Sequence, residues 1–136
     1  MTRREMREAA FKLIFEKQFN DDSLEEILAL TEEVGDIPMN EASRSLLRGV
    51  VEKSAELDDI IGKFSPKRTV SRIPRVNLVI LRVALYEILY GEDMPASVAI
   101  NEAVELAKKF AQKEDAAFVN GVLGAYARAA EAEEKA

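Results

Sequence analysis

Three arginines, Arg3, Arg4 and Arg7, stand within the first seven residues and are the strongest candidates for binding chemistry. Positive charge in the opening turns of a helix opposes its dipole, at a cost of roughly a few tenths of a kcal/mol per group, so local helix energetics does not account for them. An anion would. At about 100° per residue the three continue the apolar side above Phe11 and Ile14, which places them at the rim of a core. Two readings stay open, a phosphate-binding cluster and a solvated helix end partly neutralised by Glu5 and Glu8. A second basic group, Lys63, Lys67, Arg68, Arg72, Arg75 and Arg82, lies in a stretch from Ile60 to Tyr86 that contains no acid. It reads equally as a solvated loop pairing with the acidic first half and as a surface for nucleic acid or a protein partner.

Catalytic chemistry has little to work with. The chain has neither cysteine nor histidine, so the thiolate nucleophile, the usual general base and the commonest zinc ligands are missing. Glu87 and Glu102 could in principle form an acid-base pair. Glu87, however, falls in an apolar helix where a hydrogen-bonded structural role is the ordinary explanation for a carboxylate. No cofactor and no metal site is expected. The net charge of -6 lowers the expectation of nucleic-acid binding, but the charge is segregated, with acids concentrated between Asp21 and Asp59.

The elements that must carry these residues are helices. From Arg3 to Phe19 the apolar residues Met6, Ala10, Phe11, Leu13 and Ile14 share one arc. Ser23 and Glu26 form a capping-box pair that opens a second helix, and Gly35 closes it. A third helix, about six turns long, is expected from Glu41 to Gly62. Pro74 fits the first turn of a helix from Val76 to Tyr90 that is apolar on all sides, the pattern of a central buried helix. Ser97 is expected to cap the next helix. The last runs from about Asp115 to Ala130, where Gly121 suggests close approach of another group, and an Ala/Glu-rich tail should fray beyond it. No apolar run reaches the roughly 18 residues of a membrane span, and the opening residues lack the pattern of an export signal. The expectation is one all-α domain in the cytoplasm.

The interruptions of these apolar faces carry a resemblance. Ile80-Leu-Arg-Val-Ala-Leu-Tyr-Glu-Ile, then Pro95 with Val98-Ala-Ile-Asn-Glu-Ala-Val-Glu-Leu-Ala-Lys, then Phe118-Val-Asn-Gly-Val-Leu, together with the opening Arg3-Arg4-Glu5-Met6-Arg7-Glu8-Ala9, resemble the NusB family of bacterial transcription antitermination factors. The resemblance implies a compact bundle of about seven helices in two subdomains, residues 1–62 and 66–130 with a frayed tail at 131–136. It implies binding of boxA RNA near the leaders of ribosomal RNA operons with ribosomal protein S10, called NusE in this role. Other Nus factors and RNA polymerase would complete the complex. Carried onto this chain, RNA binding falls on Arg3, Arg4 and Arg7, on Phe15, and on Gln112, Lys113 and Phe118. The partner contact falls near Val76 and Asn77. Ala117 stands where many relatives have lysine, Asn77 where they usually carry an acid, and Gly124 where aspartate is common.

Two alternatives remain at this point: a helical adaptor that binds protein only, and an RNA-binding helper related to the N-terminal domain of ribosomal RNA cytosine methyltransferases. The second would need a catalytic domain with a Gly-rich cofactor loop and a nucleophilic cysteine, neither of which these residues contain. Some family members self-associate, which leaves a homodimer open.

Overall fold

The structure, a computed structural model, describes residues 1–65 and 67–135. Among these residues there are seven α-helices, one turn of 3₁₀ helix and no strand. The chain divides into two compact units, Met1–Glu52 and Lys53–Ala136.

The first unit holds α1 (Arg3–Lys17), α2 (Leu24–Val34) and α3 (Glu41–Glu52), with α1 packed against α2 and α3. Each helix begins where a side chain satisfies an otherwise orphaned backbone donor. Thr2 Oγ1 accepts from the Glu5 amide at 3.0 Å while Glu5 Oε1 accepts from the Thr2 amide at 3.1 Å, a reciprocal cap. Ser23 Oγ accepts from the Glu26 amide at 3.2 Å, as its spacing predicts. Asn40 and Ser43 exchange the same pair of bonds at the start of α3, each at 2.8 Å. Gly35 ends α2 in the left-handed conformation, φ 74°, which glycine adopts without strain. The unit's core is Ala10, Phe11, Leu13, Ile14, Ile27, Leu28, Leu46, Leu47 and Val50. Arg48 reaches from α3 to clasp the Glu25 carboxylate on α2 with two bonds, 3.0 and 3.1 Å.

The six-turn helix expected from Glu41 to Gly62 is two helices, parted at Lys53 (φ -95°, ψ 10°). Neither glycine nor proline marks the break. Leu46, Leu47 and Val50 serve the first core, whereas Leu57 and Ile61 on α4 (Ser54–Phe64) pack against the helices of the second unit. Helical periodicity continues through both and does not record which core each segment joins.

The second unit is built on α5 (Arg75–Tyr90), which packs against α4, α6 (Ala96–Phe110) and α7 (Lys113–Lys135). Every residue of α5 from Asn77 to Leu85 is buried, as the all-round apolar pattern predicts. Its one deeply placed cation, Arg82, is held by the Asp58 carboxylate through two bonds of 2.7 and 2.8 Å, so the charge enters paired. Pro74 occupies the position just before α5. Pro95, not Ser97, precedes α6, and Ser97 lies inside its first turn without a capping bond. At the C-terminal end, α7 continues through Lys135, with Lys135 paired to Glu131 at 3.0 Å, beyond the point at which composition suggests fraying. Ala136 lies outside the described residues.

Candidate nucleic-acid interface

At the start of α1 the three arginines have different environments. Arg3 and Arg4 are exposed, whereas Arg7 is only 4% exposed. The expectation that all three stand at the rim does not hold for Arg7. Arg7, one full helical turn further on, falls on the side of α1 that carries the buried Ala10, Phe11 and Ile14. The Thr2 cap has an electrostatic effect as well, because the Thr2 amide holds the Glu5 carboxyl below its ordinary range. Glu8 pairs with Lys12 at 3.6 Å along the same helix.

Phe15, half-buried, is the middle rung of an aromatic row on α1. Its ring stacks on Phe11 (centroids 6.2 Å apart) and meets Phe19 edge-on (5.0 Å), with Phe19 62% exposed. The spacing of four residues in the sequence foreshadows this row, although only Phe15 stands out from the resemblance.

In the second unit, the turn before α7 is organised by one carboxylate. Asp115 Oδ2 accepts from the Gln112 amide at 3.0 Å, and Oδ1 accepts from Asn77 Nδ2 at 2.9 Å. These donors, aided by the nearby charge of Arg68, hold the Asp115 carboxyl below its usual value. Sequence reasoning missed Asp115; its position three residues after Gln112, where a side chain can reach back to cap a helix, was the available signal. Gln112 and Lys113 are exposed and Phe118 is half-buried. The Arg68 guanidinium lies over the Phe118 ring, 5.1 Å from its centroid, which brings part of the basic stretch onto the same surface as a candidate RNA residue.

Lys113 and Phe118 open onto different flanks of α7. Lys113 lines a groove of about 660 Å³ shared with α6, where Asn101, Lys108 and Asn120 supply the polar walls. Phe118 lines a cleft of about 400 Å³ on the other flank with Phe64, Lys67 and Arg68. Five residues of separation turn the helix by roughly 140°, which places the two side chains on divergent faces.

The two candidate partner residues also differ. Val76 is half-buried, but Asn77 has no exposed surface and points inward to Asp115. Gly121 does not meet the close neighbour that its place in a helix suggests: a Cβ there would find no atom within 4 Å, and the residue borders the Phe118 cleft. Among the described residues no group of three or more acidic, histidine or cysteine side chains could hold a metal, and no helix is long and apolar enough to cross a membrane.

Fold and surface together define an all-helical protein with an exposed cation, Arg68, over the Phe118 ring and a buried one, Arg82, paired to Asp58. The chain belongs to the NusB family, which it matches over residues 4–128. It is 44% identical over 126 residues to the transcription antitermination protein NusB of Acetivibrio thermocellus, covering 91% of this chain and 87% of that protein. Its fold superposes on the structure of T. maritima NusB with a TM-score of 0.82 at 37% identity, spanning 94% of this chain and 92% of the other. It also matches a chain from a crystal structure of antitermination factors NusB and NusE in complex with dsRNA, with a TM-score of 0.80, 25% identity and coverage of 93% and 96%.

Proposed function

We propose that this chain is a transcription antitermination factor that binds boxA RNA of ribosomal RNA transcripts together with ribosomal protein S10 (NusE), supporting processive elongation and ribosomal RNA maturation. Membership of the NusB family across residues 4–128 carries the reading, and the solved complex of NusB, NusE and RNA supports both partners. The chain works by binding, in the cytoplasm, beside other Nus factors and RNA polymerase, and contributes no catalytic group.

Its residues divide the work. Arg3 and Arg4 contact RNA phosphates from the first unit, with Phe15 offering an aromatic edge; Arg7 supports them from within. Gln112, Lys113 and Phe118 form the second RNA-contacting region, held in place by Asp115. S10 meets the start of α5 at Val76, and Asn77 fixes that start from inside.

The local cationic surface on a net acidic chain implies modest affinity for RNA alone and a need for the partner. Titrating boxA RNA with and without saturating S10, and S10 with and without RNA, should give equal affinity ratios of at least about tenfold, a coupling near 1.4 kcal/mol. Ratios of one in both directions would exclude cooperative binding. Equal affinity for boxA and a scrambled sequence, with S10 binding retained, would favour an adaptor that binds protein only.

A further inference from the structure

We propose that the cleft between the end of α4, the Lys67–Arg68 segment and α7 receives one unstacked base of single-stranded RNA, with Phe118 and Arg68 as its stacking faces. The inference rests on the RNA-binding reading above and gives the basic stretch a role in it.

Four observations carry the assignment. The cleft is apolar at its base, lined by Phe64, Val122 and Ala125, and its rim has two cations, Lys67 and Arg68, with no acid among the lining residues. On a chain of net charge -6, that local balance favours a polyanion. The Arg68 guanidinium carbon stands over the Phe118 ring, 5.1 Å from its centroid, which pairs two groups that each stack with a flat π-system, so a base can join or replace Arg68 on the ring. The backbone that carries Arg68 is held in place: the Ser65 hydroxyl, on a buried residue, donates to the Arg68 carbonyl at 3.0 Å, and the Arg68 amide donates to the Ser65 carbonyl at 3.3 Å. Lastly, Gly121 leaves open the space that any side chain there would fill.

The volume of about 400 Å³ lies toward the low end of the roughly 300–1,000 Å³ typical of small-ligand sites. That suits one base and its sugar better than a helix of a protein partner. Lys67, exposed at the rim, then faces the adjoining phosphate. Asp115, whose carboxyl feels the nearby charge of Arg68, is already bonded to Asn77 and Gln112 and is not among the residues that line the cleft.

The test scans 2-aminopurine along a boxA-like single-stranded RNA and follows its fluorescence on binding to the intact chain. One position should respond, because leaving the base stack changes its emission. Gly121→Leu fills the cleft without changing charge; it should abolish that response and weaken binding about tenfold with an unchanged salt slope. Arg68→Lys keeps the charge but loses the plane, and should weaken binding in the same way. Circular dichroism establishes that the Gly121 variant is folded, and Arg68→Lys, altering an exposed side chain, provides the test if it is not. Wild-type affinity in both variants, or no responsive base position, would overturn the cleft assignment while leaving RNA binding by Arg3 and Arg4 intact. Loss of S10 binding with RNA binding retained would make the cleft a protein site. No preference of the wild type for boxA over scrambled RNA would remove the underlying reading and this inference together.

Discussion

Asn77 donates from Nδ2 to Asp115 Oδ1 at 2.9 Å, tying the first turn of α5 to the first turn of α7 across 38 residues of sequence. The same carboxylate accepts the Gln112 amide, so a single side chain braces the candidate partner region and the turn that presents Lys113. Asn77 Oδ1, buried opposite, has no hydrogen-bond partner among the described residues. The amide orientation follows from the carboxylate: only its NH₂ group can satisfy an ionised Asp115.

This bond sets an acid response. Because Asp115 has a folded-state value lowered from 3.8, its contribution is present above that value and is lost as pH falls through the lower folded-state value. Asn77→Asp should reverse the shift, since two facing carboxylates cannot both ionise easily. Carbon-13 titration of the Asp115 carboxyl should show a value below 3.8 in the wild type and above it in the variant. No difference between them would show that Asn77 does not govern Asp115.

The arginine cluster should separate by stability. Arg7→Ala should cost roughly 1–3 kcal/mol, as expected when a buried polar group's partners are left unmatched. Arg3→Glu and Arg4→Glu should leave urea midpoints essentially unchanged. The double variant should lose RNA affinity, whereas Arg3→Ala with Arg4→Ala should reduce the log-log salt slope by about 1.4 if each residue contacts one phosphate of a single strand. Equal stability effects at all three positions would contradict their different burial.

In the centre of the second unit, Leu81 and Leu85 are both completely buried. Replacing either with alanine should destabilise the chain by roughly 2–5 kcal/mol through lost burial and a residual cavity. Chemical denaturation measures this directly, and a negligible change at both positions would be incompatible with α5 as the buried centre of the unit.

Two glycines should respond in opposite directions. At Gly91 a Cβ would lie 2.4 Å from the Glu87 carbonyl oxygen, so Gly91→Ala must move backbone and should destabilise by roughly 0.5–3 kcal/mol. At Gly121 the space is open, and alanine should stabilise the helix by roughly 0.5–1 kcal/mol. Thermal melts of the two variants should shift in opposite senses.

The sequence by itself determined the helical class, the buried character of α5, the Ser23 and Gly35 ends of α2, and the family resemblance. Each depends on residues a few positions apart, where helical geometry and backbone donors act locally. Tertiary structure decided what local periodicity cannot encode. It parted α3 from α4 at Lys53, because consecutive apolar stripes serve different cores. It buried Arg7 but left Arg3 and Arg4 exposed, and drew Asn77 inward to Asp115. It also brought Arg68 onto Phe118, fifty positions further along the chain, and turned Gly121 from a suspected packing point into the open side of a cleft. Those outcomes depend on which faces meet after the helices pack, and a one-dimensional pattern carries the faces without naming their partners.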